Sequence, residues 1–244
     1  MLDYLILGAL QGIFEWVPIS SEGIITLTSK YLFQIENPLS YALFLHLGTL
    51  LATLIYFRKD WLEVVQLKNK PLFKFLAYST IVSLAIGYLI YKQLTSMNLG
   101  LSLLTITGIA LIVTSYLQKS KRKIKLKQNQ VIILTGVLQG LAIIPGFSRS
   151  GSTIFGLSFT NLEPEKILKY SYMMSAPVII VANVYILFQE PVLFKAWPSI
   201  IISFILGLGT LKLIINYSKR INFSKFTFIF GLLCLLGSFV GYFF

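Results

Sequence analysis

The chain has 244 residues, 56% hydrophobic and 12% charged, with a mean hydropathy of +0.78. A soluble domain carries about a quarter charged residues, so the composition excludes one and indicates an integral membrane protein. The formal charge of +12 does not point to nucleic acid, because the basic residues gather in "QKSKRKIKLK" and other short loops between apolar segments, with no aromatic residues interleaved.

In chain order, the first apolar region covers about residues 1–33 and is broken near its middle by "EWVPISSEG". No basic segment precedes it and no A-x-A-type site closes it, so it is expected to belong to the fold and not to a removable signal peptide. Candidate spans follow at about 39–57, 72–94 and 99–117, then a second broken region at about 130–160, then spans at about 170–188, 197–217 and 224–244. Each span approaches the roughly 20 apolar residues that cross a bilayer. The halves of the broken regions are too short to cross, and irregular backbone at membrane depth survives only where protein buries it or it lines a water-filled cavity. Both are therefore expected to be re-entrant helix–loop–helix elements. The expected fold is an all-α polytopic membrane protein of one domain, with six transmembrane helices and two re-entrant elements. The single cysteine, Cys234, lies in the last apolar run, allows no internal disulfide, and is expected to be a small core residue.

The two broken regions resemble each other. "LQGIFEWVPISSEG" from Leu10 and "LQGLAIIPGFSRSG" from Leu138 share Leu-Gln-Gly, a proline midway, serines after it, and a glycine at the same distance. Each is followed by three candidate spans, and an odd number of spans delivers the second copy to the opposite face. This predicts an inverted repeat, about 1–118 and 129–244, whose loops meet near the bilayer midplane. The basic residues agree with that topology. One face receives Arg58, Lys59, Lys68, Lys70, Lys74, the run Lys119 to Lys127, Lys166, Lys169, Lys212, Lys219, Arg220 and Lys225; the other receives Lys30, Lys92 and Lys195. Cytoplasmic loops carry the positive excess, so both termini are expected outside.

Three ionisable residues fall within the loops: Glu15 and Glu22 in the first, Arg149 in the second. Charge at that depth is costly unless it is paired or faces water, which makes each a functional candidate; a structural ion pair joining the repeats is the simpler alternative. Ser20, Ser21, Ser148, Ser150, Ser152 and Thr153 add hydroxyls, and Gly23, Gly146 and Gly151 allow close backbone approach. "PGFSRSGST" has the parts of an anion cradle, with helix N-terminal amides and a forked arginine donor. A serine hydroxyl can attack phosphorus, and a carboxylate can act as its base or as a hard ligand for Mg²⁺ or Ca²⁺. Gln11 and Gln139 are matched across the repeat and could bond a ligand or cap the facing loop. His46, in "LFLHLGTLLA", could be a base or a packing histidine, and is not assigned to the site.

"QGIFEWVPISSEG", "FLHLGTLLATLIYFRKD" and "IPGFSRSGSTI", in this order, resemble the undecaprenyl-diphosphate phosphatases of the bacitracin-resistance family, essentially end to end. The resemblance implies an inverted-repeat membrane enzyme of the plasma membrane. Such an enzyme removes the terminal phosphate of a C55 polyprenyl diphosphate at the outer face, using a divalent cation. It places the nucleophile on Ser21, the motif glutamate on Glu15 and the diphosphate-binding arginine on Arg149, and it puts Gln11 where some members are acidic. From the residues and the resemblance together, the expected substrate-binding residues are Ser20, Gln139, Ser148, Ser150, Gly151 and Thr153, and the expected metal ligands are Glu15, Glu22 and Gln11. The expected partners are the polyprenyl diphosphate and membrane lipids, with no nucleic acid; a homodimer is allowed. One departure stands out: the family reads Pro-x-Ser-Ser-x-Gly-His, whereas this chain has Ile24 in the histidine position and an added carboxylate at Glu22. Either Glu22 or His46 substitutes for it, or hydrolysis is lost and a transporter or flippase for a phosphorylated polyprenyl lipid remains.

Overall fold

The computed structural model describes residues 2–17, 20–96, 102–119, 126–217 and 223–243. Pro18, most of the basic run Lys119 to Lys127, Lys219 and Arg220 lie outside the described residues. The described chain is helical, with no strand among the described residues. Helices α1 (Leu2–Phe14) and α2 (Ser21–Tyr31) flank the first loop, followed by α3 (Pro38–Tyr56), a short α4 (Arg58–Val65), α5 (Lys70–Ser96) and α6 (Ser102–Lys119). The second half opens with α7 (Gln128–Leu141) and α8 (Arg149–Leu157) around the second loop. Then come α9 (Pro164–Met173), α10 (Ser175–Gln189), a 3₁₀ turn (Pro191–Ala196), α11 (Trp197–Tyr217) and α12 (Phe223–Phe243).

Helix length decides which elements cross. At 1.5 Å per residue, the 13 residues of α1 and the 14 of α7 span about 20 Å, short of the roughly 30 Å hydrocarbon core. Among the described residues, Pro38–Tyr56, Lys70–Leu94, Pro164–Gln189 and Pro191–Asn216 are long and apolar enough to cross a membrane. Helices α6 and α12 fall where the other two spans are expected. The span expected at 170–188 begins earlier and is broken between α9 and α10 at Met174. Pro177 explains the break, because it has no N–H to offer the Met173 carbonyl and its ring crowds that carbonyl. Helix α4 was not expected from the sequence.

The packing exchanges elements between halves. Helix α1 runs along α11, and α7 runs along α5. Each short helix offers Gly-x-x-x-Gly (Gly8 and Gly12; Gly136 and Gly140), and each partner offers Ser-x-x-x-Ser-x-x-x-Gly (Ser199, Ser203, Gly207; Ser79, Ser83, Gly87). Small residues at this spacing let backbones touch, which is how membrane helices associate without a hydrophobic driving force. A methyl group built on Gly12 would lie 2.8 Å from the Ser203 carbonyl oxygen, and one on Gly140 would lie 2.9 Å from that of Ser83. Helices α6 and α12 pack on each other through Gly108 and Gly231. The largest buried cluster sits under the first loop. There the Trp16 indole donates to Gly207 O at 2.7 Å, the Tyr172 hydroxyl donates to Trp16 O at 3.1 Å, and the two rings meet edge-on.

Candidate active site

The two loops are built alike. Ser20 and Ser148 each precede a helix and accept the amide three residues on, from Gly23 at 3.1 Å and from Gly151 at 3.2 Å. Such caps satisfy amides that the first helical turn leaves unpaired. The Ser20 oxygen also takes the Gly146 N–H at 3.1 Å, so one hydroxyl ties the loops together. A side chain on Gly23 would sit 2.8 Å from Gly146 N, and Gly146 has φ +95° with the Thr107 carbonyl pressed against the position of its missing Cβ. Only glycine fits at either point.

One residue further, Ser21 and Arg149 occupy equivalent positions, the first residue of α2 and of α8, and both reach Glu15. The Ser21 hydroxyl donates to Glu15 Oε2 at 2.8 Å, and Arg149 Nη2 pairs with Oε1. Gln11 Nε2 donates to the same Oε2 at 2.8 Å, and His46 Nε2 lies 3.3 Å from it. The other nitrogen of His46, Nδ1, faces the Ala42 carbonyl at 2.8 Å, so both ring nitrogens face oxygens, the arrangement of a ring that donates from both. The Glu15 side chain is 1% exposed and that of Arg149 15%. Gln11 and Ser21 donate to Oε2, with the His46 ring beside it, and Arg149 takes Oε1, so both Glu15 oxygens have partners. Breaking such a buried pair by removing one partner costs several kcal/mol, because it strands a charge.

Two cavities meet at these residues. A small polar one of about 20 Å³ is lined by Glu15, Ser20, Ser21, Ser148 and Ser150, among others. A larger one of about 330 Å³ lies among α3, α5, α7 and α10; its walls are mainly apolar, and it reaches Tyr88, Val181 and Tyr185, which are exposed on the helix surface. Glu22, His46 and Arg149 line both. A headgroup at this junction would have polar donors on one side and an apolar channel toward lipid on the other.

The other expected residues divide by what their atoms touch. Ser150 lines the small cavity beside Ser148, 3.5 Å between hydroxyls. Gly151 gives its amide to the Ser148 cap. Thr153 lies outside both cavities, bonded to the Arg149 carbonyl at 2.8 Å and the Ser171 hydroxyl at 2.6 Å. Gln139 lines the large cavity, donating to Ser83 Oγ at 3.3 Å and Met174 O at 3.1 Å. Gln11 holds Glu15 and also reaches Thr49 Oγ1 at 3.4 Å. His46, not assigned to the site from the sequence, joins it here; an ionisable residue inside a span marks a candidate, but only packing puts the ring beside Glu15. The sequence reading also missed the α9–α10 break, whose Met174 and Ser171 carbonyls accept from Gln139 and Arg149; Pro177 inside a span was the available signal.

For a divalent cation the donor set fits in one respect. Glu22 Oε1 and Gln11 Oε1 are buried oxygens without a hydrogen-bond partner, and hard cations take such oxygens. Both oxygens of Glu15 are committed. No group of three or more His, Cys, Asp or Glu residues able to hold a metal occurs among the described residues. A cation here would therefore rest on Glu22 and complete its shell with substrate oxygens and water, the usual habit of Mg²⁺.

Fold and site together define a polytopic membrane protein with a buried polar centre formed where two short, non-spanning helical hairpins meet. The chain belongs to the family of the bacitracin resistance protein BacA, whose family model matches residues 4–236. It is 34% identical over 251 residues to an undecaprenyl-diphosphatase of Sulfurisphaera tokodaii, covering 95% of this chain and 94% of that protein. To an undecaprenyl-diphosphatase of Methanococcus maripaludis it is 34% identical over 248 residues, covering 98% of each. To one of Thermosipho africanus it is 32% identical over 252 residues, covering 99% of each.

Proposed function

We propose that this chain is a membrane phosphatase that removes the terminal phosphate of an undecaprenyl-type diphosphate. The observation that carries the reading is the convergence of Ser21, Arg149 and His46 on Glu15, at the junction of a polar and an apolar cavity. The family and the names of its relatives support the reaction and the lipid. No observation favours transport without hydrolysis.

The geometry suggests how the residues divide the work. The isoprenoid lies in the apolar cavity and the diphosphate at the junction lined by Glu22, His46 and Arg149, with the terminal phosphate facing the small polar cavity, which widens as Arg149 leaves Glu15. Arg149, held by one nitrogen on Glu15 Oε1, turns toward the diphosphate, which offers bidentate pairing and more charge. Glu15, relieved of one cation, takes the Ser21 proton along a hydrogen bond that already exists. The Ser21 oxygen–phosphorus bond forms, the bridging bond breaks toward the lipid phosphate, and water later cleaves the phosphoserine. Unpaired amides at the start of α8 and Arg149 stabilise charge on the transferred group. His46 holds a proton beside Glu15 and keeps the carboxylate aimed at Ser21. A divalent ion held by Glu22 would neutralise charge on the phosphoryl oxygens.

The exchanged contacts of α1 with α11 and α7 with α5 support reading the halves as an inverted repeat, residues 1–118 and 129–244. Together with the lysine asymmetry they support a plasma-membrane protein with both termini outside. The test is conversion of C55 diphosphate to the monophosphate by purified protein. Ser21→Ala and Arg149→Ala should each lower it by at least about 10³-fold, as removal of nucleophiles and charge-stabilising donors does; normal turnover in either would overturn the role assigned to it.

A further inference from the structure

A separate groove of about 400 Å³, sharing no lining residue with the two site cavities, opens where α5 begins, lined by Leu67, Lys70, Phe73, Lys74, Ala77 and Tyr78. Lys70 and Lys74 are one turn apart on an exposed helix face, and among the described residues neither has a carboxylate within 4 Å. Nearby Lys169, by contrast, is paired with Asp60 at 2.7 Å. Both free lysines stand in the first turns of α5, where the helix end is already positive. The fold thus concentrates positive charge at this helix end with no carboxylate paired to it among the described residues.

Below the lysines the groove is apolar and open. Phe73 is 41% and Tyr78 57% exposed, and Leu67, at φ +56° in a region that residues with a Cβ seldom adopt, holds an exposed side chain at the mouth. From Lys70 to Tyr78 is eight residues, about 12 Å along the helix, which matches the passage from a bilayer's headgroups to its acyl region. Leu62 and Val65 of α4 are also exposed beside it, as on a helix lying in the interface.

We propose that this groove binds an anionic phospholipid of the leaflet on the lysine-rich side, its phosphate held by Lys70 and Lys74 and one chain lying along Phe73, Ala77 and Tyr78. Charge complementarity selects the occupant: a zwitterionic lipid leaves the lysines uncompensated, and a free anion leaves the apolar half empty.

The experiment is native mass spectrometry of the purified, delipidated full chain titrated with phosphatidylglycerol or with phosphatidylcholine of the same chains. The wild type should prefer phosphatidylglycerol by about 30-fold, the weight of two lysines at an anionic surface, and Lys70→Gln with Lys74→Gln should reduce that preference to within about twofold. A control pair on the same membrane side, Lys59→Gln with Lys166→Gln, should keep it, and all proteins should keep the wild-type melting temperature. Equal retention of the two lipids by wild type, an unchanged preference in the Lys70/Lys74 variant, or the same loss in the control pair would overturn the proposal. So would displacement of the lipid by inorganic phosphate, or a dimer that the Lys70/Lys74 substitutions dissociate.

Discussion

The adjacent serines Ser20 and Ser21 should separate folding from chemistry. In Ser20→Ala, two buried amides, Gly23 N and Gly146 N, lose the oxygen they share at 3.1 Å each. Loss of the helix cap costs about 1 kcal/mol, and a buried N–H left without a partner costs about 1–3 kcal/mol. The sum is roughly 2–4 kcal/mol, which for a chain of this size lowers the melting temperature by roughly 4–16 °C. Ser21→Ala removes one donor from a carboxylate that keeps Gln11, His46 and Arg149, so its melting temperature should stay within about 3 °C of wild type. Turnover should order the other way. Thermal unfolding in detergent, read by intrinsic fluorescence beside lipid-phosphate release at a temperature where all three proteins are folded, makes the comparison. If Ser20→Ala melts with the wild type yet loses turnover as Ser21→Ala does, Ser20 contacts substrate and the account of the loop junction is wrong.

Gly146→Ala should abolish accumulation of folded protein, because a methyl group at φ +95° meets the Thr107 carbonyl; monodisperse, wild-type-like elution on size exclusion would contradict this. His46→Gln should lower turnover about 10²-fold, the usual weight of a positioned proton-holding group. Partial recovery on adding Ile24→His would show that the ring serves proton chemistry more than packing. Glu22→Gln should raise the Mg²⁺ concentration for half-maximal turnover by on the order of tenfold, the loss typical when a group supporting a bound cation is removed, with little effect on melting. A metal response equal to that of wild type would remove Glu22 from the cation's surroundings.

Much of this architecture was legible because membrane helices announce themselves by length and apolarity. The matched strings from Leu10 and Leu138 marked both loops, and their spacing carries through to the paired caps at Ser20 and Ser148 and to Ser21 opposite Arg149. The Ser-x-x-x-Ser-x-x-x-Gly faces of α5 and α11 were equally readable, yet their meaning depends on which helix they meet, and that is a tertiary fact. The single span expected at 170–188 failed to show its break because apolar composition is the same on either side of Met174; only Pro177 distinguished it. His46 was visible but ambiguous. Nothing in the sequence says that one turn of α3 faces Glu15, and only packing against the first loop puts the ring there. Ser20 and Ser21 are likewise identical in type, and backbone geometry alone directs one hydroxyl to the facing loop's amide and the other to the carboxylate.

A buried Glu15 centre that cleaves phosphate from a lipid diphosphate leaves two products in equal number. The most direct test counts both products, inorganic phosphate and polyprenyl monophosphate, formed from C55 diphosphate by wild type and by Glu15→Gln in proteoliposomes with Mg²⁺. Wild type should form equal amounts of the two products, and Glu15→Gln almost none. Lipid diphosphate that crosses the bilayer intact, with no phosphate released by folded wild type, would contradict this.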